Sequence, residues 1–143
     1  MDQVEFTKDE ISNHSMGNAS GHLLGTISFL NSKGASVEEW IEYVGKQHAE
    51  GWGELKGKSA LEVLREAALT WISCGATLVS LSGDDARAEA VLAWPPEDDA
   101  KFYGITTRDG HKLNHVFLPI AQKVGLDFSW ESEGKQFRIT FSR

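Results

Sequence analysis

Cysteine is nearly absent from this chain, and so are long apolar stretches. Its 143 residues include one cysteine, Cys74, so an intrachain disulfide cannot form and a zinc site built from several cysteines is excluded. No run reaches the roughly 18 consecutive apolar residues that a membrane-spanning helix needs. The acidic start lacks the basic residues and apolar run of a secretory signal. We therefore expect a cytoplasmic protein without a membrane segment.

Positive charge is also scarce. The formal net charge is -7, from 14 Lys and Arg against 21 Asp and Glu, and no basic run occurs. Because an acidic surface repels phosphate backbones, nucleic acid is not an expected partner. The apolar fraction of 41% and the charged fraction of 24% are ordinary for a globular protein. The length predicts one domain over residues 1–143, with a polar lead-in at residues 1–15.

Motifs for catalysis or metal binding are lacking as well. The sequence contains no glycine-rich phosphate loop and no serine nucleophile elbow. The acidic pairs Asp84-Asp85 and Asp98-Asp99 lack the spacing of a calcium loop. His111 and His115 would share a helical face, but no His-Glu-x-x-His motif surrounds them, and we predict two exposed histidines. The sequence thus assigns no catalytic residue, no metal site and no cofactor.

The N-terminal half predicts three helices. In the first, Met16–Asn31, glycines recur every four residues and indicate that something packs close to the backbone, unless they are incidental; these are Gly17, Gly21 and Gly25. Capping boxes mark the next two helices, Ser36 with Glu39 and Ser59 with Glu62. Their apolar faces comprise Val37, Ile41, Val44 and His48 in the second helix, and Leu61, Leu64, Ala68, Trp71 and Ile72 in the third.

The C-terminal half predicts two hairpins separated by a helix. Residues 76–81 and 89–94 have strand-like composition around a turn, and residues 128–141 alternate apolar and polar side chains around Glu133-Gly134. Residues 110–125 fit one helix kinked at Pro119, which we favour, or a helix that starts at Pro119. This order of elements predicts an α+β fold with helices on one face of an antiparallel sheet of about four strands.

Tryptophan is the unusual feature of the composition, with five residues drawn from helices, a loop and both hairpins. They form either a large aromatic core or an aromatic-lined pocket for a ligand. His48 shares the spacing of Val37, Ile41 and Val44, so we predict that it points inward beside Trp52, as a core residue or as a polar anchor for a ligand. The candidate ligand-binding residues are His48, Trp40, Trp52, Trp71 and Trp94.

The segment from Leu61 to Phe141 resembles the 4-vinyl-reductase type of ligand-binding domain, which is related to transport-particle and nitric-oxide-sensing folds. The shared pattern is a helix ending in Gly75, two strands, a helix before Gly125, and a closing hairpin. That family often has cysteines in the closing hairpin, and Gly134–Ile139 has none, so no functional residue is carried over. The resemblance implies a dimeric α+β module that binds a small hydrophobic molecule.

The leading hypothesis is a cytoplasmic, homodimeric sensor or carrier with an aromatic-lined pocket between helices and sheet. One alternative is an enzyme that uses His48 as a general base or Cys74 as a nucleophile. Because Cys74 lies near a helix C-terminus, where the dipole opposes thiolate formation, we predict a structural role for it. The other alternative is a homodimeric interaction module without a ligand, in contact through the glycine stripe.

Overall fold

Helices and strands occupy most of the chain. The computed structural model describes residues 4–143, so residues 1–3 of the predicted lead-in lie outside the described part. Two 3₁₀ segments, Glu50–Leu55 and Lys112–Val116, connect longer elements. The α-helices and strands are, in chain order, α1 Lys8–Ser32, α2 Val37–Ala49, α3 Ala60–Ser73, β1 Thr77–Gly83, β2 Arg87–Ala93, α4 Glu97–Tyr103, α5 Thr107–His111, α6 Phe117–Val124, β3 Asp127–Glu133 and β4 Gln136–Ser142.

Helix α1 is longer than the sequence predicts. A capping box between Thr7 and Glu10 starts it, and it continues without a break for 25 residues. The predicted helix Met16–Asn31 and most of the polar lead-in are therefore one helix. Only Leu24 and Ile27 of α1 are buried, and its first two turns are exposed to solvent.

Helices α2 and α3 begin where their caps predict. The hydroxyl of Ser36 accepts a hydrogen bond from the Glu39 amide at 3.1 Å, and Ser59 and Glu62 form a complete capping box. Helix α3 ends before Gly75, which has a φ of 94°. A left-handed conformation of this kind favours glycine at the end of a helix, because a side chain would be strained there.

The segment around Pro119 differs from both predicted forms. It consists of α5, the 3₁₀ segment Lys112–Val116 and α6 in succession, and α6 starts at Phe117. Proline is accommodated as the third residue of α6 because amides of a first helical turn have no intrahelical acceptor. The predicted apolar stripe is nevertheless buried, and it consists of Leu113, Phe117, Ile120 and Val124.

The four strands form one antiparallel sheet in the order β1-β2-β4-β3, which confirms the α+β prediction. Its inner face carries the buried side chains of the two central strands against the helices. Its outer face is polar. There the guanidinium of Arg138 donates hydrogen bonds to the carboxylates of Glu89 at 2.6 Å and Glu133 at 2.9 Å. The inner side chains are Ala88, Ala90, Leu92, Phe137, Ile139 and Phe141.

Helix α2 approaches the segment before α6 more closely than a side chain would allow. A Cβ placed on Gly45 would collide with the carbonyl of Val116 and would lie 2.7 Å from Cγ of Pro119. Neither the backbone nor the proline ring can move away easily. Glycine at this position therefore sets the distance between α2 and α6.

We predict that Gly45→Ala lowers the free energy of unfolding by roughly 1–3 kcal/mol, because overpacking forces the backbone to shift. The measurement is equilibrium denaturation in urea. Gly17→Ala is the matched control, since nothing lies within 4 Å of a Cβ there. It should leave stability unchanged or raise it by up to about 1 kcal/mol. Equal stabilities of the two variants would contradict a close approach at Gly45.

Candidate functional site

An apolar cavity of about 190 Å³ lies within the helical layer. Helix α2 supplies one wall, α3 supplies the opposite wall, and α1 and the segment from Leu113 to Phe117 complete the border. The cavity opens to solvent between α2 and α3, where His48 and Thr70 are exposed. Its lining consists of Leu23, Trp40, Ile41, Val44, His48, Thr70, Trp71, Cys74, Leu113, Val116 and Phe117.

The hollow follows from the way in which α2 is packed. Helix α2 contacts the segment Lys112–Val116 and α6 extensively, but it has only sparse contact with α3. The close approach at Gly45 holds α2 against α6 on one side. On the other side, the indoles of Trp40 and Trp71 border the gap between α2 and α3. The space between these two helices therefore stays unfilled.

Trp71 forms a fixed wall between this cavity and the core. Its ring nitrogen donates a hydrogen bond to Oδ1 of Asn114 at 2.9 Å, and both residues are buried. Its ring centroid lies 5.1 Å from that of Trp94 and 4.8 Å from that of Phe137. Because the donor is satisfied and the ring contacts two other rings, its orientation is held on several sides.

The cavity wall offers few polar groups to a guest. The described residues that line it include no Asp, Glu, Lys or Arg. The Thr70 hydroxyl donates to the carbonyl of Glu66 at 3.0 Å, and the Trp71 ring nitrogen is bonded to Asn114. The ring nitrogen of Trp40, the imidazole of His48 and the thiol of Cys74 are the remaining polar side-chain groups of this lining.

Cys74 is half-buried in this wall. Burial raises the pKa of its thiol above the usual range, and a hydrogen bond with Ser73 offsets only part of that effect. The neutral thiol is therefore the dominant form near pH 7. His48 lines the same cavity, but within residues 4–143 no hydrogen bond joins the two side chains.

Three of the five predicted ligand-binding residues line the cavity, namely Trp40, Trp71 and His48. The inward orientation predicted for His48 is wrong, because this residue is exposed at the rim. The predicted place between helices and sheet also differs from the observed one, since helices and 3₁₀ turns supply the lining.

Trp52 and Trp94 lie elsewhere. Trp52 belongs to the 3₁₀ segment after α2 and meets Phe117 edge-on, with a centroid separation of 6.0 Å. Trp94 is buried in the core, and its ring nitrogen donates to Oγ of Ser20 at 3.0 Å. Neither indole reaches the cavity lining.

His111 is buried, which overturns the prediction that it is exposed. Its side chain has no exposed surface, its Nδ1 lies 2.8 Å from Oγ of Ser132, and its ring meets Phe137 at 5.1 Å. The other ring nitrogen, Nε2, has no hydrogen-bond partner of normal geometry among the described residues. The neighbouring candidate, His115, is half-buried and lies 2.8 Å from Glu42.

Burial lowers the pKa of His111, and the charge of Arg108 acts in the same direction. The nearby carbonyl of Trp94 raises the pKa but does not compensate. A protonated imidazole would carry a full charge in a buried site that holds no opposite charge among the described residues, so burial favours the neutral ring. His111 is therefore neutral in the folded protein near pH 7.

The glycine stripe of α1 is partly covered by the chain itself. A Cβ on Gly21 would lie 3.0 Å from the hydroxyl oxygen of Tyr103, and one on Gly25 would lie 3.7 Å from its ring. Tyr103, the last residue of α4, is thus the group that packs near this backbone. Gly17 has nothing within 4 Å of its Cβ position.

Comparison with family models and with curated proteins adds no relative. No family model matches the chain, and no curated protein is significantly similar to it. The resemblance to the 4-vinyl-reductase type of domain therefore stays a prediction. Among residues 4–143, no three His, Cys, Asp or Glu side chains are grouped to hold a metal ion. No helix in this part of the chain has the length and apolar character needed to cross a membrane.

The low pKa of His111 predicts a loss of stability in mild acid. Between its ordinary pKa of 6.5 and its lower folded value, the unfolded chain binds a proton that the folded chain does not. The contribution of the neutral His111 imidazole to the free energy of unfolding is therefore complete above pH 6.5, and it is lost as the pH falls toward the lower folded pKa. We expect His111→Gln to flatten this dependence by up to about 1.4 kcal/mol per pH unit.

The measurement is the free energy of unfolding in urea at several pH values from 5 to 7. His14→Gln is the matched control, because His14 is exposed on α1, and it should keep the acid-dependent loss. If His111→Gln and the unsubstituted protein lose stability in parallel, burial of a neutral imidazole is not the cause.

Proposed function

We propose that this protein binds a small hydrophobic molecule, as a sensor or carrier, in the cavity between α2 and α3. The observation that carries the proposal is an apolar cavity of about 190 Å³, bordered by two tryptophans and open to solvent at His48. A hollow lined by apolar side chains destabilises a fold by roughly a few kcal/mol. An unfilled apolar hollow with such a cost is typical of a site with a function, since larger side chains at its wall would fill the space.

The size of the cavity supports a guest with one aromatic ring or a short branched chain. An engineered apolar cavity of about 150 Å³ stays dry and binds benzene, and the present cavity is slightly larger at about 190 Å³. Ligand sites for drug-sized molecules are usually about 300–1,000 Å³. A compact guest therefore fits best.

The chemistry of the lining supports a guest with at most one polar group. A charged group deep in the cavity would lose its hydration without gaining an oppositely charged partner, because the described lining contains no Asp, Glu, Lys or Arg. A hydroxyl placed at the rim could bond the imidazole of His48. The preferred ligand class is thus an aromatic or branched hydrocarbon skeleton that is unsubstituted or carries one polar group facing α2.

The enzymatic alternative receives less support from the same residues. His48 and Cys74 share one cavity, as that hypothesis requires, but a nucleophilic cysteine needs a lowered pKa and a base within hydrogen-bond reach. Burial raises the pKa of Cys74 instead. We therefore favour binding over catalysis, and the enzymatic role stays a prediction.

Filling the cavity should abolish binding. We predict that toluene quenches or shifts the tryptophan fluorescence of the protein with a saturable dependence on concentration, since Trp40 and Trp71 border the cavity. Val44→Phe should weaken toluene binding by about 10-fold or more, because the larger ring occupies the space. The measurement is a fluorescence titration, repeated by calorimetry to exclude optical artefacts.

The matched control for this titration is Val4→Phe, which makes the same substitution at an exposed position. It should bind toluene like the unsubstituted protein. Absence of saturable binding for toluene, benzene, indole and isobutanol alike would contradict the proposed function. Identical affinities of Val44→Phe and Val4→Phe would show that the guest binds elsewhere.

The exposed imidazole predicts a selective effect of His48 on polar guests. His48→Leu should weaken the binding of phenol by roughly 3- to 10-fold, the value of one hydrogen bond, and should leave toluene unaffected. His14→Leu, at an exposed position outside the cavity lining, is the control and should change neither affinity. Equal losses for phenol and toluene in His48→Leu would indicate a packing role for His48 rather than a polar one.

A further inference from the structure

Strand β1 leaves one edge of the sheet open. It pairs with β2 on one side and is the first strand in the sheet order, so within residues 4–143 no strand lies beside its outer row of backbone N–H and C=O groups. Edges of this kind are templates for another strand, and proteins protect them with charged side chains, proline, short strands or bulges. Strand β1, Thr77–Gly83, contains no charged residue and no proline, and its one irregularity is the register shift between Leu78 and Ser80.

An apolar surface lies beside this edge. Leu69 and Ile72 of helix α3 belong to this surface, and β1 contributes Leu78 and Leu81. Leu69 is 57% exposed and Leu78 is 40% exposed, which is high for leucines that lie next to each other. We call these four residues the β1 edge patch. Contiguous exposed apolar surface of this type usually marks an interaction site.

Charge distinguishes this edge from the opposite one. Strand β3, at the other edge of the sheet, carries Asp127, Glu131 and Glu133, and two copies of it would repel each other. Two charged residues of opposite sign, Arg65 and Glu66, lie beside the β1 edge patch. The net charge of this region is therefore zero, although the whole chain has a net charge of -7. A second copy of this acidic chain therefore meets less repulsion at β1 than at β3.

We propose that two copies of this chain associate through β1 and the β1 edge patch. The two β1 strands run antiparallel about a two-fold axis perpendicular to the sheet, so the helical layers of both copies lie on the same side. The two sheets then form one sheet of eight strands, since each copy contributes four. The contact is isologous, because each copy presents the same surface to the other.

The spacing of the layers agrees with this arrangement. Helix α3 packs mainly on β2 and more lightly on β1 and β4. Across the two-fold axis the strands follow in the order β2, β1, the partner's β1 and the partner's β2. Neighbouring strands are about 4.8 Å apart, so these three intervals place the two α3 helices roughly 14 Å apart. Packed helices are normally about 8–10 Å apart. The remaining gap of roughly 4 Å is the space that the β1 edge patches of both copies fill.

The bulge in β1 makes the side chains of the patch important for affinity. The register between β1 and β2 shifts between Leu78 and Ser80, and a bulge bends the strand and interrupts a regular ladder. Backbone pairing with the second copy is therefore short. Association stops at two copies because the edges that remain open after pairing are the acidic β3 strands.

Sedimentation velocity and light scattering across a micromolar concentration series test this proposal. The unsubstituted chain should have the mass of a dimer at the upper end. Leu69→Glu should raise the dissociation constant of the dimer by about 100-fold or more, because two like charges would face each other across the axis. Leu69 is exposed, so the substitution should leave the fold intact, and circular dichroism with thermal unfolding checks this. Leu78→Lys is a second variant with the same expected effect.

Two controls separate this interface from others. Phe102→Glu changes an equally apolar residue that is 82% exposed on α4, and Gly17→Leu changes the open part of the glycine stripe; both should remain dimers. A monomeric unsubstituted chain at every concentration overturns the proposal. It is also overturned if folded Leu69→Glu and Leu78→Lys stay dimeric, or if Gly17→Leu alone dissociates the dimer.

Discussion

The buried indole of Trp71 is the constraint on which the rest of the structure depends. It lies where α3, the central strands and the segment before α6 meet, and it contacts Trp94 and Phe137 while its nitrogen bonds Asn114. A large ring held on several sides cannot turn into the adjoining cavity. Trp71 therefore allows a closely packed core and an open cavity to exist on opposite sides of one side chain.

The cavity results from two opposite requirements on α2. Gly45 brings this helix against the carbonyl of Val116, and a helix that is drawn to one neighbour moves away from another. Helix α3 is held on the sheet by its own buried face, so it cannot follow. The gap between α2 and α3 is thus a consequence of packing elsewhere. This explains why its wall contains ordinary core residue types and no recognisable motif.

Much of the fold follows from local sequence signals, whereas the helix faces do not. Caps, glycine stops and the alternation of the closing hairpin depend on neighbouring residues, and they predict α2, α3, β3 and β4 well. The buried face of α2 depends on its partner. Spacing alone predicts that Val44 and His48 are buried. Gly45 and Ala49 are buried instead, because small residues allow the closest approach between helices. His48 is consequently at the rim.

The error at His111 has a related cause. The prediction placed residues 111–115 in a helix with about 3.6 residues per turn, the first part of a helix kinked at Pro119. The 3₁₀ segment Lys112–Val116 has about 3.0 residues per turn. Its tighter winding changes which side chains point inward, so that His111 before it and Phe117 after it are both buried. Neither the break nor the new phase has a sequence signal apart from Pro119, which the first turn of α6 tolerates.

Helix α3 separates the two proposed sites and limits their influence on each other. Thr70 and Cys74 face the cavity, whereas Leu69 and Ile72 face the edge of the sheet. Coupling between a guest and a second copy would require α3 to adopt two positions with different affinities. Trp71 anchors α3 from the inside, through contacts that belong to neither site. A guest small enough to fit beside this fixed ring has no means of shifting the helix, and the two binding events should therefore be independent.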